Sequence, residues 1–88
     1  MGGAVGGAVG GVASMSAKQL SRFERAARRY RLTVRQTETL RLLATGMKCE
    51  TVAGEMGISA RGVRMHKERI LRKVGVPTIG AAGWKMLL

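Results

Sequence analysis

Residues 52–74 read VAGEMGISARGVRMHKERILRKV, and this stretch decides the fold. A short segment ends at Gly57, Ile58-Ser59 makes a turn, and a longer segment runs on to Val74. Ser59 caps the second segment, because its side-chain oxygen can accept from the N–H groups that a helix start leaves free. Two helices joined by so tight a turn form a helix-turn-helix. On a wheel of 3.6 residues per turn the second helix, 60–74, divides into two sides. Val63, Ile70 and Val74 share one side, flanked by His66 and Leu71; Arg61, Arg64, Met65, Glu68 and Arg72 share the opposite one. An apolar back and a basic front suit a helix that enters the major groove of DNA. A surface helix with a charged exterior has the same periodicity, so the wheel alone leaves both readings open.

Working outward, Cys49 to Met56 makes the short first helix of the pair. Before it, Val34 to Thr45 is helical, capped by Thr33 and closed by Gly46, with Leu40, Leu43 and Ala44 facing inward. Gly75 closes the 60–74 helix, and Val76-Pro77 forces an extended step. Thr78 caps a last helix, Ile79 to Leu88. Upstream, Ser16-Ala17-Lys18-Gln19 has the spacing of a capping box. Leu20, Phe23, Ala27 and Tyr30 then recur at helical steps, with Arg22, Arg25, Arg28 and Arg29 around them, which predicts a basic amphipathic helix in 16–31. Residues 1–15 are rich in Gly, Ala and Val and read as a disordered tail, with Met15 an alternative start. No strand pattern appears. The predicted fold class is all-α: a four-helix domain over 32–88 with an extra N-terminal helix and a Gly-rich tail.

The chain has 88 residues, room for one small core. It carries 16 Lys and Arg against 5 Asp and Glu, a net charge of +11, and the first charge is Lys18. So basic a chain attracts polyanions: DNA, RNA or an anionic membrane face. Single-stranded RNA readers stack bases on aromatic rings, and Phe23, Tyr30 and Trp84 are too few and scattered. A membrane-surface peptide is an alternative carried by the 16–31 helix, although its stripe holds only three large apolar residues. No apolar run reaches the roughly 18 residues of a span, so no membrane partner is expected. The lone Cys49 permits no internal disulfide and suits a reducing cytosol, so a cytoplasmic location is expected. One His and one Cys make no metal set. No nucleophile, carboxylate pair or phosphate loop points to catalysis, so neither an enzyme nor a cofactor is expected.

The order of short motifs is more specific. Leu32-Thr33-x-Arg35 is followed by Glu38-x-Leu40-x-Leu42-Leu43-Ala44-x-Gly46, then by Val52-Ala53-x-x-Met56-Gly57-Ile58-Ser59, Val63-x-x-His66 and Ile70-x-x-Lys73-Val74-Gly75-Val76. In this order, and without gaps, they resemble the LuxR/GerE type of DNA-binding domain. The resemblance covers Leu32 to Leu88. It implies four helices, transcription control and DNA binding as a dimer. It places the base-reading positions on Arg64, Met65 and Glu68. Arg64 fits two guanine acceptors with one fork, and Met65 suits a thymine methyl. Glu68 has two readings, acceptance from a cytosine amino group or, as the favoured one, an ion pair with Arg64 or Arg72. Lys48, Arg61, Lys67 and Arg69 are phosphate candidates. The resemblance assigns dimer contacts to 79–88, with Trp84, Leu87 and Leu88 as apolar contacts and Ala81, Ala82 and Gly83 allowing close approach. RNA polymerase is a further candidate partner. A stand-alone regulator set by its own abundance is expected, with a sigma-factor-like promoter reader as the alternative.

Three positions depart from the family pattern. Lys48-Cys49-Glu50-Thr51 stands where a Ser capping box is usual, which costs the short helix about 1 kcal/mol. Gly54 inside that helix costs a similar amount. Gly62 replaces a common Thr. His66 is expected to be a satisfied structural residue, and Glu38 is expected to pair with a base such as Lys73.

Overall fold

Two capping boxes set the first two helices. The Ser16 hydroxyl accepts from the Gln19 N–H at 3.2 Å, and the Gln19 side chain accepts from the Ser16 N–H at 3.0 Å. Thr33 and Gln36 repeat the exchange at 3.0 and 3.1 Å. The computed structural model describes residues 16–88 and holds five α-helices in them. They are α1 (Ala17–Arg29), α2 (Val34–Ala44), α3 (Cys49–Met56), α4 (Ala60–Val74) and α5 (Ile79–Leu87). There is no strand among the described residues, and the class is all-α, as the sequence predicts. The tail expected over 1–15 lies outside the described residues.

The helix ends follow local chemistry. Ser59 and Thr78 cap α4 and α5 by accepting from Gly62 and Ala81 N–H groups. Gly57 and Gly75 end α3 and α4 at φ of 70° and 78°, a left-handed backbone that glycine adopts without a Cβ clash. α1 ends by the same device without glycine. Leu32 N–H reaches back to the Ala27 carbonyl at 3.0 Å and Arg31 N–H to the Arg28 carbonyl at 2.9 Å. This is a Schellman turn with Arg31, at φ 61°, in the position glycine usually takes.

The apolar stripes meet in two clusters. The first joins Phe23, Ala26 and Ala27 of α1 and Leu32 to Leu40, Ile70, Val74, Ala82 and Met86. The second joins Leu43 to Val52, Ala53 and Met56 of α3 and Val63 of α4. Thus α2 and α4 serve both clusters, α1 and α5 close the first, and α3 closes the second. Burying a Phe or Leu side chain contributes about 1.5–3 kcal/mol, so these clusters carry most of the stability. Gly83 lets α5 lie close on α2, since a Cβ there would stand 3.1 Å from the Ala44 Cβ.

Two corrections arise here. The small residues Ala82 and Gly83 are buried inside this chain and are not free to bring a second chain close. The exposed stripe of α5 is instead Gly80, Trp84 and Leu88. Leu87, expected at the same interface, packs against the first cluster. The second correction concerns the membrane-surface alternative. Phe23 and Ala27 are fully buried, so the apolar stripe of α1 is already used by the domain.

Candidate nucleic-acid interface

The helix-turn-helix is α3, the turn Gly57-Ile58-Ser59, and α4. Ile58 N–H bonds the Ala53 carbonyl at 3.0 Å, and the Ile58 side chain packs on the second cluster. Those contacts fix the angle between the two helices. Arg35 of α2 donates to the Met56 carbonyl at 3.1 Å, which ties α2 to the last turn of α3. Thr39, fully buried, donates to the Arg35 carbonyl at 2.8 Å and lies against the Met56 sulfur.

The far end of α4 is tied separately. Lys73 Nζ donates to the Arg31 carbonyl at 2.8 Å and to Gln36 Oε1 at 2.9 Å. Gln36 therefore serves two elements, closing the cap of α2 and receiving α4. Glu38 pairs with a basic residue, as expected, but the partner is not Lys73. It meets Arg35, one turn earlier on its own helix, at 3.5 Å, and Lys73 is already committed to the two oxygens nearer to it.

With its back and both ends held, α4 presents one outer face. Arg61, Arg64, Met65, Glu68 and Arg72 are all exposed, and Arg69 is exposed beside them. Met65 has 46% of its surface open, unusual for so apolar a side chain. Lys67 differs, being half-buried at the edge of the helix. An open groove brings Lys67 together with Arg64 and the exposed Lys48, alongside Glu50, at the start of α3. Lys48 occupies the N-cap of α3, and no side chain accepts from the first N–H groups there.

The structure corrects two further expectations. Glu68 makes no ion pair with Arg64 or Arg72; the sole ion pair among the described residues is Arg35–Glu38. An exposed pair one turn apart is worth only a few tenths of a kcal/mol, so hydration of the separate charges wins. His66 is half-buried, and its Nδ1 is enclosed without a hydrogen-bond partner. Val63 and Ile70, one turn away on the buried side of α4, are apolar.

Sequence reasoning placed the exposed face of α4 but missed what holds it. Arg35, Gln36 and Lys73 are separated by tens of residues from some of their partners, and no local pattern signals such pairs. The Leu32-Thr33-x-Arg35 motif was the available hint for Arg35.

Comparison with known proteins supports this geometry. The GerE family model, described as bacterial regulatory proteins of the luxR family, matches residues 30–82. That range takes in α2, α3, α4 and the start of α5. No curated protein and no solved structure matches the chain. With more than half its length under the family model, and a two-ended helix-turn-helix in the matched range, the chain belongs to the luxR family of DNA-binding bacterial transcription regulators.

Proposed function

We propose that the chain reads specific duplex DNA sites by laying α4 in the major groove. The observation that carries this is the single exposed face of α4, Arg61, Arg64, Met65, Glu68 and Arg72, on a helix whose back and ends are fixed. Fixed side chains discriminate between bases, whereas a mobile basic helix would only track charge.

Arg64 is the guanine reader in this proposal, since its fork meets N7 and O6 together. Met65 lies against a thymine methyl. Glu68, exposed on the same face, accepts from a cytosine amino group. Arg61, Arg69 and Arg72 contact phosphates beside the groove. Lys48 and Lys67 hold another phosphate at the start of α3, where the free N–H groups favour an anion. Two copies joined through 79–88, on the exposed Gly80, Trp84 and Leu88 stripe, would read two half-sites related by symmetry. Trp84 is 70% and Leu88 91% exposed, which supports a covering partner for this stripe.

The test is selection from random duplexes, with each bound pool titrated in salt. Arg64→Ala is expected to lose sequence preference at one position at a cost of about 1–3 kcal/mol. Lys67→Ala is expected to weaken all sequences alike and to lower the salt slope by about 0.9. Equal weakening of every duplex by both variants would remove Arg64 as a base reader.

A further inference from the structure

α1 lies outside the matched range, which begins at residue 30, and carries a feature that the reading of α4 leaves unused. Lys18, Arg22, Arg25 and Arg29 follow one another at steps of four, three and four residues. At 3.6 residues per turn they fall in an arc of about 60°, one straight row along the helix. All four are exposed. Glu24, the sole acid of α1, lies about 130° away around the helix from the middle of the row, and no member of the row forms an ion pair among the described residues. Lys85 of α5 extends the patch: it sits over the Tyr30 ring at 5.9 Å and shares with Arg22, Arg25 and Arg29 a groove that no acidic side chain lines. Like charges one turn apart repel, so this row is held at a small cost that a bound polyanion would reverse.

We propose that this row grips the phosphodiester backbone of duplex DNA without regard to sequence, as a second surface beside α4. The inference rests on α4 being the base reader. Three observations select this occupant. The row spans twelve residues, about 16 Å of helix, enough for several phosphates of one strand. Three of its four members are Arg, whose planar fork binds phosphate through two parallel hydrogen bonds. A lipid surface would need a free apolar stripe next to the cations, and here Phe23 and Ala27 are fully buried in the core, which leaves Leu88 as one exposed apolar side chain at the groove and no stripe. α5 packs against both α1 and α4, which have little direct contact with each other, so the row is a surface apart from the outer face of α4.

The experiment uses the full chain with Arg22, Arg25 and Arg29 changed together to Gln, and in a second variant together to Lys. Affinity for a random-sequence duplex is measured across salt concentrations. The Gln variant is expected to flatten the slope of log affinity against log salt by about 2.7, since each phosphate left without its cation takes away about 0.9. Its selected sequence should be that of the wild type, and the Lys variant should keep most of the slope. An unchanged slope in the Gln variant overturns the inference while leaving the reading of α4 intact. A wild-type chain that ignores duplex DNA in dilute buffer sinks both. Anionic phosphatidylserine vesicles serve as the parallel probe: row-dependent binding to them, with duplex binding unaltered, also overturns it. Should the triple Gln variant lose its helical circular dichroism, the three single Gln variants carry the test. Each is then expected to lower the slope by about 0.9, and three unchanged slopes overturn the inference.

Discussion

α4 and α1 each bury an apolar stripe and show solvent a basic exterior, but they are held differently. α4 enters both core clusters, through Val63 at one end and Ile70 and Val74 at the other, and Lys73 ties its last turn to the turn after α1 and to α2. α1 enters one cluster only, and its exterior row is cationic throughout. The outer face of α4 mixes chemistries: fork donors at Arg64, an apolar tip at Met65 and an acceptor at Glu68. Mixed groups on a rigid support can distinguish bases, while uniform charge on a less constrained helix sees only backbone. The contrast separates what specificity requires from what affinity requires.

The sharpest way to break this contrast is to empty the seat of α1. Phe23→Ala removes a fully buried ring and is expected to cost about 3–5 kcal/mol, close to the whole stability of a small domain. Because Ile70 and Val74 share that cluster, α4 should melt with α1 in a single urea transition followed by far-UV circular dichroism. Two separate transitions would show that α1 is an appendage and that α4 stands without it.

Lys73 sharpens the contrast at the other end. Lys73→Met is expected to lower stability by about 1–2 kcal/mol, because it removes two hydrogen bonds made by a charged donor. Arg72→Met removes the same charge from the same turn at an exposed position that makes no side-chain hydrogen bond or ion pair within the described residues. It should stay within about 0.5 kcal/mol of the wild type. Equal losses in the two variants, measured by denaturant midpoint, would mean that net charge and not tethering governs this end of α4.

How much of this was readable in advance depends on the range of the signal. Every helix start except that of α3 carries a Ser or Thr cap, at Ser16, Thr33, Ser59 and Thr78, and Gly57 and Gly75 mark two of the ends. Such signals act within four residues, so the five elements could be placed from sequence. The wheel likewise gave the exposed face of α4, since burial of Val63, Ile70 and Val74 dictates where Arg64 and Met65 point. Pairings were not readable. Lys73 reaches an oxygen 42 residues away, and Glu38 looked free to receive it until α2 was oriented. The side of α5 that packs was hidden for the same reason: both of its sides hold small or apolar residues, and the position of Ala44 chose between them. The groove of Lys48 and Lys67 was invisible because it exists only once the α2–α3 loop is laid beside α4.

The smallest expected effect lies at Arg31, where α1 hands over to the domain that the family shares. Its left-handed φ of 61° costs a side-chain-bearing residue about 1 kcal/mol, and no glycine warned of the turn. The conformation persists because it closes the Schellman turn and aims the Arg31 carbonyl at Lys73. Arg31→Gly removes the clash but gives the unfolded chain more freedom, which takes back about 0.5–1 kcal/mol. A gain of at most about 0.5 kcal/mol is therefore expected in thermal unfolding, and Gly75→Ala gives the reference for the reverse change. A Cβ at Gly75, φ 78°, would meet nothing within 4 Å, so its expected loss, the same balance in the other direction and at most about 0.5 kcal/mol, is a backbone effect alone. If Arg31→Gly instead destabilises by as much as Gly75→Ala, the arginine side chain itself holds α1 in place. The weaker tether of α1 would then have a second anchor beyond its buried stripe, and the contrast with α4 would narrow.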